Sequence, residues 1–390
     1  MIALDAIRHA LSISVAMTWE ILWALIVGFT LSAIVQAVVS KSQLSALLPD
    51  ASPRTLAIAT LLGAASSSCS YVAVALARSL FLKGANFSSA MTFEIASTNL
   101  VIELGIILVI LMGWEFAAAE LVGGVVMIVI LGLLFRMFLS ERQVVVGREQ
   151  AEKRLRGYME GHADMDMSVT EGSLWQKIFS AKGFTAISHL FVMDWASVIR
   201  DVVLGLLIAG ALAAWVPETF WKLFFLTDQP ELALIWGPLV GPIVSVVSFV
   251  CSIGNVPLAA VLWNNGITFG GVISFIFADL IILPILSIKR RYYGTRMTVF
   301  LFATFYAAMA LAGLIVELVF GALGIIPHER NALVAEPSLT LNYTTVLNVL
   351  FLTLAAALLF RAWRTGGFAM LALMNPRSDA ALRPVTAHHH

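Results

Sequence analysis

Apolar positions run without interruption from about Met17 to Val39, and similar runs recur at about Ala117 to Leu139, Val198 to Val216, Met297 to Leu323 and Tyr343 to Phe360. At ~1.5 Å per residue each can cross ~30 Å of hydrocarbon, so each predicts a membrane-spanning helix. Residues 3 to 16 are mildly amphipathic and are expected to lie along the interface ahead of the first span. That first apolar run lacks a basic n-region and a small-residue cleavage site, so it is expected to be retained as a span.

Four further apolar stretches carry polar or helix-breaking residues inside them. Thr55 to Phe81 is interrupted by Ser66-Ser67-Ser68-Cys69-Ser70, and Leu232 to Trp263 by Gly237-Pro238 and Gly241-Pro242. Buried hydroxyls need partners, and each interior proline removes a backbone donor at a cost of about 3 kcal/mol, so both stretches predict a broken helix. Phe87 to Met112 contains Glu94, Asn99 and Glu103, and Gly271 to Ile288 contains Asp279.

One stretch occurs twice. At a single constant offset, with no gap, Cys69 falls on Cys251, Ser70 on Ser252, Gly84 on Gly266, Phe87 on Phe269, Phe93 on Phe275 and Ala96 on Ala278. The two cysteines of the chain therefore occupy one place in two copies, and an internal repeat in an apolar chain is a mark of transporters. The expected organisation is a first membrane repeat (1–140), a polar linker (141–196), a second repeat (197–325), a loop with an extra span (326–365) and a tail (366–390). The tail ends in His388 to His390, which read as a tag remnant.

The basic residues set the topology. If both cysteine stretches crossed the bilayer as simple spans, lysines and arginines would divide almost evenly between the faces, with Lys289, Arg290, Arg291 and Arg296 on the wrong one. If each is instead a hairpin that enters and leaves on one face, all but Arg8, Lys222 and Arg330 of the 24 fall together. The fold class that follows is an all-α polytopic membrane protein of two inverted repeats. Each repeat has three transmembrane helices and a broken re-entrant hairpin, and one extra C-terminal helix follows. The N-terminus is expected outside, with linker and C-terminus cytoplasmic, and the two hairpin tips meeting near the midplane.

Composition narrows the function. A hydrophobic fraction of 60%, a charged fraction of 12% and a mean hydropathy of +0.92 exclude a soluble domain of this length. Zero net charge without a basic stripe argues against nucleic acid as a partner, and the expected partners are the lipid bilayer, a small-molecule solute and a second copy in a homo-oligomer. No P-loop, metal-ligand spacing or cofactor motif is seen. His9, His189 and His328 are scattered, which argues against an enzyme, and the run His162 to Met167 reads as a solvated loop.

The candidate substrate residues are Ser68, Cys69, Ser70, Cys251, Ser252, Asn255 and Asn99. Matched thiols without other soft ligands suit a soft, thiophilic solute, while the plainer alternative is that both cysteines are small buried hydrophobes. Glu94 and Asp279, acids at mid-span, are the candidates for proton coupling. Glu317 is a weaker candidate of the same kind, and Glu20 is expected near an interface. Asn264-Asn265-Gly266 reads as a tight turn with Lys83-Gly84 as its counterpart, and Tyr71 is expected to pack.

The strings SSSCS, KGA and EIASTN in the first copy, and CSIGNVPLAAVLWNNG, FIFADLIILPIL and RRYYG in the second, resemble the bacterial predicted-permease family that includes efflux permeases for trivalent organoarsenicals. The resemblance covers roughly residues 60 to 110 and 235 to 295. It implies a permease of the cytoplasmic membrane, with Cys69, Ser70, Cys251 and Ser252 in its Cys-Ser motifs and Asn99 and Asp279 in the flanking ones. With one cysteine per repeat, this chain is poorer in thiols than the arsenical exporters. The expected function is efflux of a small soft solute such as a trivalent organoarsenical. The alternative is proton-coupled transport of a non-thiophilic metabolite or metal ion, with structural cysteines.

Overall fold

The computed structural model of the chain describes residues 2–38, 46–152, 167–169, 173–248, 252–333 and 343–374. Among them are helices and no strands, as a bilayer demands of any backbone that is not a closed barrel. Seven helices are long and apolar enough to cross a membrane, or up to eight if one bent pair counts as a span. The protein is an all-α, multi-pass membrane protein.

The first repeat consists of α1 (Ile2–Val38), α2 (Pro53–Ser66), α3 (Ser70–Leu82), α4 (Phe87–Asn99), α5 (Ile102–Leu111) and α6 (Trp114–Phe138), followed by α7 (Glu141–Glu152) and α8 (Leu174–Phe179). The second consists of α9 (Ala181–Trp215), α10 (Glu218–Phe224), α11 (Pro230–Ser248), α12 (Ser252–Asn264), α13 (Phe269–Phe277), a 3₁₀ turn (Ala278–Ile281), α14 (Leu283–Tyr293) and α15 (Thr295–Ala322). Helices α16 (Tyr343–Arg364) and α17 (Gly367–Met374) close the chain. At the offset that sets Cys69 on Cys251, α3 has the bounds of α12, α4 begins where α13 begins, and the break at Leu100 falls on the break at Ile282. Gly84 and Gly266, at the same offset, turn the chain with φ of 104° and 107°, a region in which a side chain would be strained.

Three expectations about the elements are corrected. Residues 3 to 16 do not form a separate interfacial segment, because α1 is continuous from Ile2. The reason is its partner: Ser14 Oγ donates to Leu206 O (2.9 Å), and Gly210 has no Cβ to collide with Ala10 O and Ser14. The span expected from Val198 begins at Ala181 instead, capped by Ser180 Oγ on Gly183 N (3.0 Å). Its early turns are held by the C-terminal helices, through His189 Nε2 and Thr365 (2.7 Å) and through Arg361 Nη2 to Thr185 (2.8 Å). Finally, Pro238 and Pro242 lie inside α11, which runs through both rather than breaking at them. The adjoining Gly237 and Gly241 let α13 approach, since a Cβ there would meet Thr268 and the Gly271 carbonyl.

Equivalent helices of the two repeats pack on each other in opposite directions. Trp215 Nε1 donates to Ala6 O (3.1 Å) at one end of the α1–α9 contact, and Ser32 Oγ donates to Asp194 (3.2 Å) at the other. On α6 and α15, Gly123 faces Val316 while Phe135 lies 5.6 Å from Phe300. Helix α3 touches α14, and its counterpart α12 touches α5.

The outer end of each hairpin is held by an arginine from beyond the repeat's last span. Arg148 Nη1 donates to Phe81 O (2.8 Å) with its guanidinium 4.1 Å over the Phe81 ring. Arg330, its equivalent in the second copy, donates to Trp263 O and Ile267 O (both 2.7 Å) and stacks 4.2 Å over the Trp263 ring. A cation at a helix C-terminus satisfies orphan carbonyls and opposes the dipole. Arg330→Ala is expected to destabilise the detergent-solubilised protein by about 1–3 kcal/mol, read as a lower Tm. Arg330→Lys should fall between, because an ammonium cannot both fork and stack.

Candidate functional site

The first hairpin turns at Ser67, whose φ of 32° ends α2, and Cys69 follows as the N-cap of α3. The turn is tied down by Ser68 N to Ser97 O (2.8 Å) and by Ser32 Oγ to Ser67 O (2.9 Å). Around it lies a chamber lined by Ser67, Ser68 and Cys69 from the first copy, Ser252 and Ile253 from the second, and Phe29, Glu103, Asp194 and Ser197. The tips of both copies therefore reach one place. Its free volume of about 10 Å³ is near the minimum for one water, so the chamber is closed in this conformation. A cavity of about 470 Å³, lined by Tyr71, Arg200, Asp201, Pro284 and Arg291, shares Ser197 with it.

The walls are polar and hydrogen-bonded. Ser67 Oγ donates to Glu103, Ser32 and Gln36 Nε2 (3.0 Å) donate to Asp194, and Ser197 Oγ donates to Asp194 O (2.6 Å). Cys251 lies outside the described residues, but its neighbour Ser252 is in the chamber wall. Cys69 is the N-cap of α3 and makes no side-chain capping hydrogen bond there.

The other sequence candidates sit elsewhere. Asn255 staples α12 to α11, with Nδ2 donating to Ser245 Oγ (3.1 Å), and does not reach the chamber. Ser70 points away from Cys69's pocket and donates to Asp279 Oδ2 (2.6 Å), joining the first hairpin to the break of the second repeat. Asn99 Nδ2 donates to Ile95 O (3.3 Å) and Thr98 (3.1 Å), and its side chain reaches Asp279. Glu94 Oε1 is 2.8 Å from Lys289 Nζ, both side chains fully buried. Glu317 accepts from Gly270 N, Glu20 accepts from Thr344 Oγ1 (3.0 Å), and Asn264 pairs with Ala332 across the turn.

Sequence reasoning missed Lys289, Glu120 and Asp194. Lys289 was grouped with Arg290 and Arg291 as an interfacial cation, yet it is buried against Glu94 and stands 4.1 Å over the Phe305 ring. The only signal available was its place on the inner face of α14, beside Ile285 and Tyr292. Glu120 lies three residues into the span expected from Ala117, which starts instead at Trp114 and buries it. Asp194 fell in the expected linker.

Residues 6–318 match the family described as predicted permease. The chain belongs to that family. The permease is also 62% identical over 344 residues, 88% of its own chain and 85% of the other, to a protein of Mycobacterium tuberculosis (strain ATCC 25618 / H37Rv) named "Putative permease Rv2963". No solved structure matches it. Family and relative both place the permease among transporters rather than enzymes. Among the described residues no group of three or more His, Cys, Asp or Glu could hold a metal ion. Of the run His162 to Met167, all but Met167 lies outside the described residues.

Proposed function

We propose that this permease is a secondary transporter of the bacterial cytoplasmic membrane that exports a small soft solute, such as a trivalent organoarsenical, through the chamber at Cys69. The observation that carries this reading is the meeting of Cys69 and Ser252, equivalents across the repeat but for one residue, in a single closed chamber between the halves. The antiparallel pairing of α1 with α9 and of α6 with α15 supports two inverted repeats, each with a re-entrant hairpin. Rocking the halves about that axis would open the chamber alternately, and the 470 Å³ cavity with Arg200 and Arg291 at its rim is the cytoplasmic approach. The linker and C-terminus belong to the cytoplasmic face and the N-terminus to the outer one. Ser68, Cys69, Cys251 and Ser252 contact the solute. Ser70 and Asn99 tie the chamber to Asp279, on which, with Glu94, the proton gradient acts.

Expression in a strain lacking its own exporters should raise tolerance to trivalent phenyl- and methylarsenicals and lower their cellular content, with little effect on unrelated toxins. Equal tolerance and content with and without the protein would overturn the substrate. The carboxylates Glu103 and Asp194 in the chamber wall favour, as a second reading, a proton-coupled transporter of a metabolite or metal ion. In that case uptake across pH should fail in Glu94→Gln and Asp279→Asn while both Cys→Ser variants stay active.

A further inference from the structure

Glu120 belongs to no sequence motif discussed above, yet both its carboxylate oxygens are buried without a hydrogen-bond partner. It lies on the face of α6 that carries Gly123 and Gly124 one turn on. Those glycines rest on Phe277 and Leu100, the residues beside the breaks of the two repeats, so Glu120 faces the gap between the breaks. Asp279 follows Phe277 by two residues in the 3₁₀ turn at that break and is fully buried there. Its Oδ2 takes the Ser70 hydroxyl while its Oδ1 has no hydrogen-bond partner, and the Oδ1 of Asn99 is likewise buried without one.

The neighbouring charges do not neutralise this pair. Lys289, from α14, is in direct contact with Glu94 on α4 and acts on Asp279 only at longer range. Glu103 on α5 is taken by Ser67, and Glu317 on α15 by the Gly270 amide. Two carboxyls in a shared dry site cannot both stay ionised.

We infer that Glu120 and Asp279 together hold one exchangeable proton at the meeting point of the two helix breaks, and that this pair is the coupling-ion site of the transporter. Glu94 is paired with Lys289 close by. The inference rests on the transport reading above, but its test needs no solute. Dicyclohexylcarbodiimide reacts with protonated carboxyls in apolar surroundings, and peptide mass spectrometry of the full-length protein in detergent locates the adduct. Labelling is expected at Glu120 or Asp279 and should fall at least about ten-fold between about pH 5 and about pH 9, unaffected by sodium at constant pH. In Glu120→Gln and in Asp279→Asn the remaining carboxyl loses its like-charged neighbour, and its labelling should fall at a lower pH than in the unsubstituted protein. Protection by sodium would replace the proton with a metal cation. Labelling at Glu94 alone, or at none of the three, would remove the pair from the mechanism. Arsenical export could fail while this labelling stands, so the two readings are separable.

Discussion

Cys69→Ser protein should reach the membrane at the normal level and lose at least about ten-fold in export of a trivalent arsenical, a change of about 1.4 kcal/mol in the stability of the bound state. The substitution replaces sulfur by a smaller hydroxyl in a wall that already holds Ser67, Ser68 and Ser197, so hydrogen bonding and fold should survive. What disappears is the soft ligand, and oxygen is a poor substitute for sulfur toward a thiophilic centre. Cys251→Ser is expected to behave alike, since its neighbour Ser252 lines the same chamber. Export rates in everted vesicles measure the loss, with antibody detection controlling for the amount of protein. Undiminished export in both single variants would mean that the cysteines only pack, and would shift the weight to Glu103 and Asp194.

The largest effect on stability should come from the Glu94–Lys289 pair. Removing one partner leaves the other charge without its 2.8 Å counter-ion in a site with no solvent access, at a cost of about 3–5 kcal/mol. Glu94→Gln and Lys289→Met should therefore each lower the Tm of the purified protein strongly. The double variant should recover most of the loss, because a neutral pair of similar size carries no stranded charge. Lys289→Met also keeps a flexible apolar chain against the Phe305 ring, so little packing is lost. Additive losses in the double variant would show that the two groups are not each other's partner.

The cysteine stretches illustrate what periodicity and repeats can reach. Aligning the two copies on their cysteines located the turns at Gly84 and Gly266 and the helices on either side of them, because these depend on local chemistry that both copies share. The positions of the breaks were only half legible. Ser66 to Ser70 marked the first, whereas Gly237-Pro238 and Gly241-Pro242 pointed to α11's interior, where the glycines serve the contact with α13. The break at Leu100 had no signal of its own, since Leu and Val are ordinary helix residues and the chain unwinds there between packed neighbours.

From the sequence by itself came the membrane class, the two-fold repeat and the pairing of Cys69 with Cys251, all of which follow from one-dimensional facts: hydropathy over a span length and identity at a fixed offset. Tertiary structure alone decided which buried charges meet. Glu94 with Lys289 and Ser70 with Asp279 join residues far apart in the chain, and the sign of a residue says nothing about the helix that will face it. An ionisable group in a dry interior is governed by its nearest partner, and that partner is set by how the helices pack.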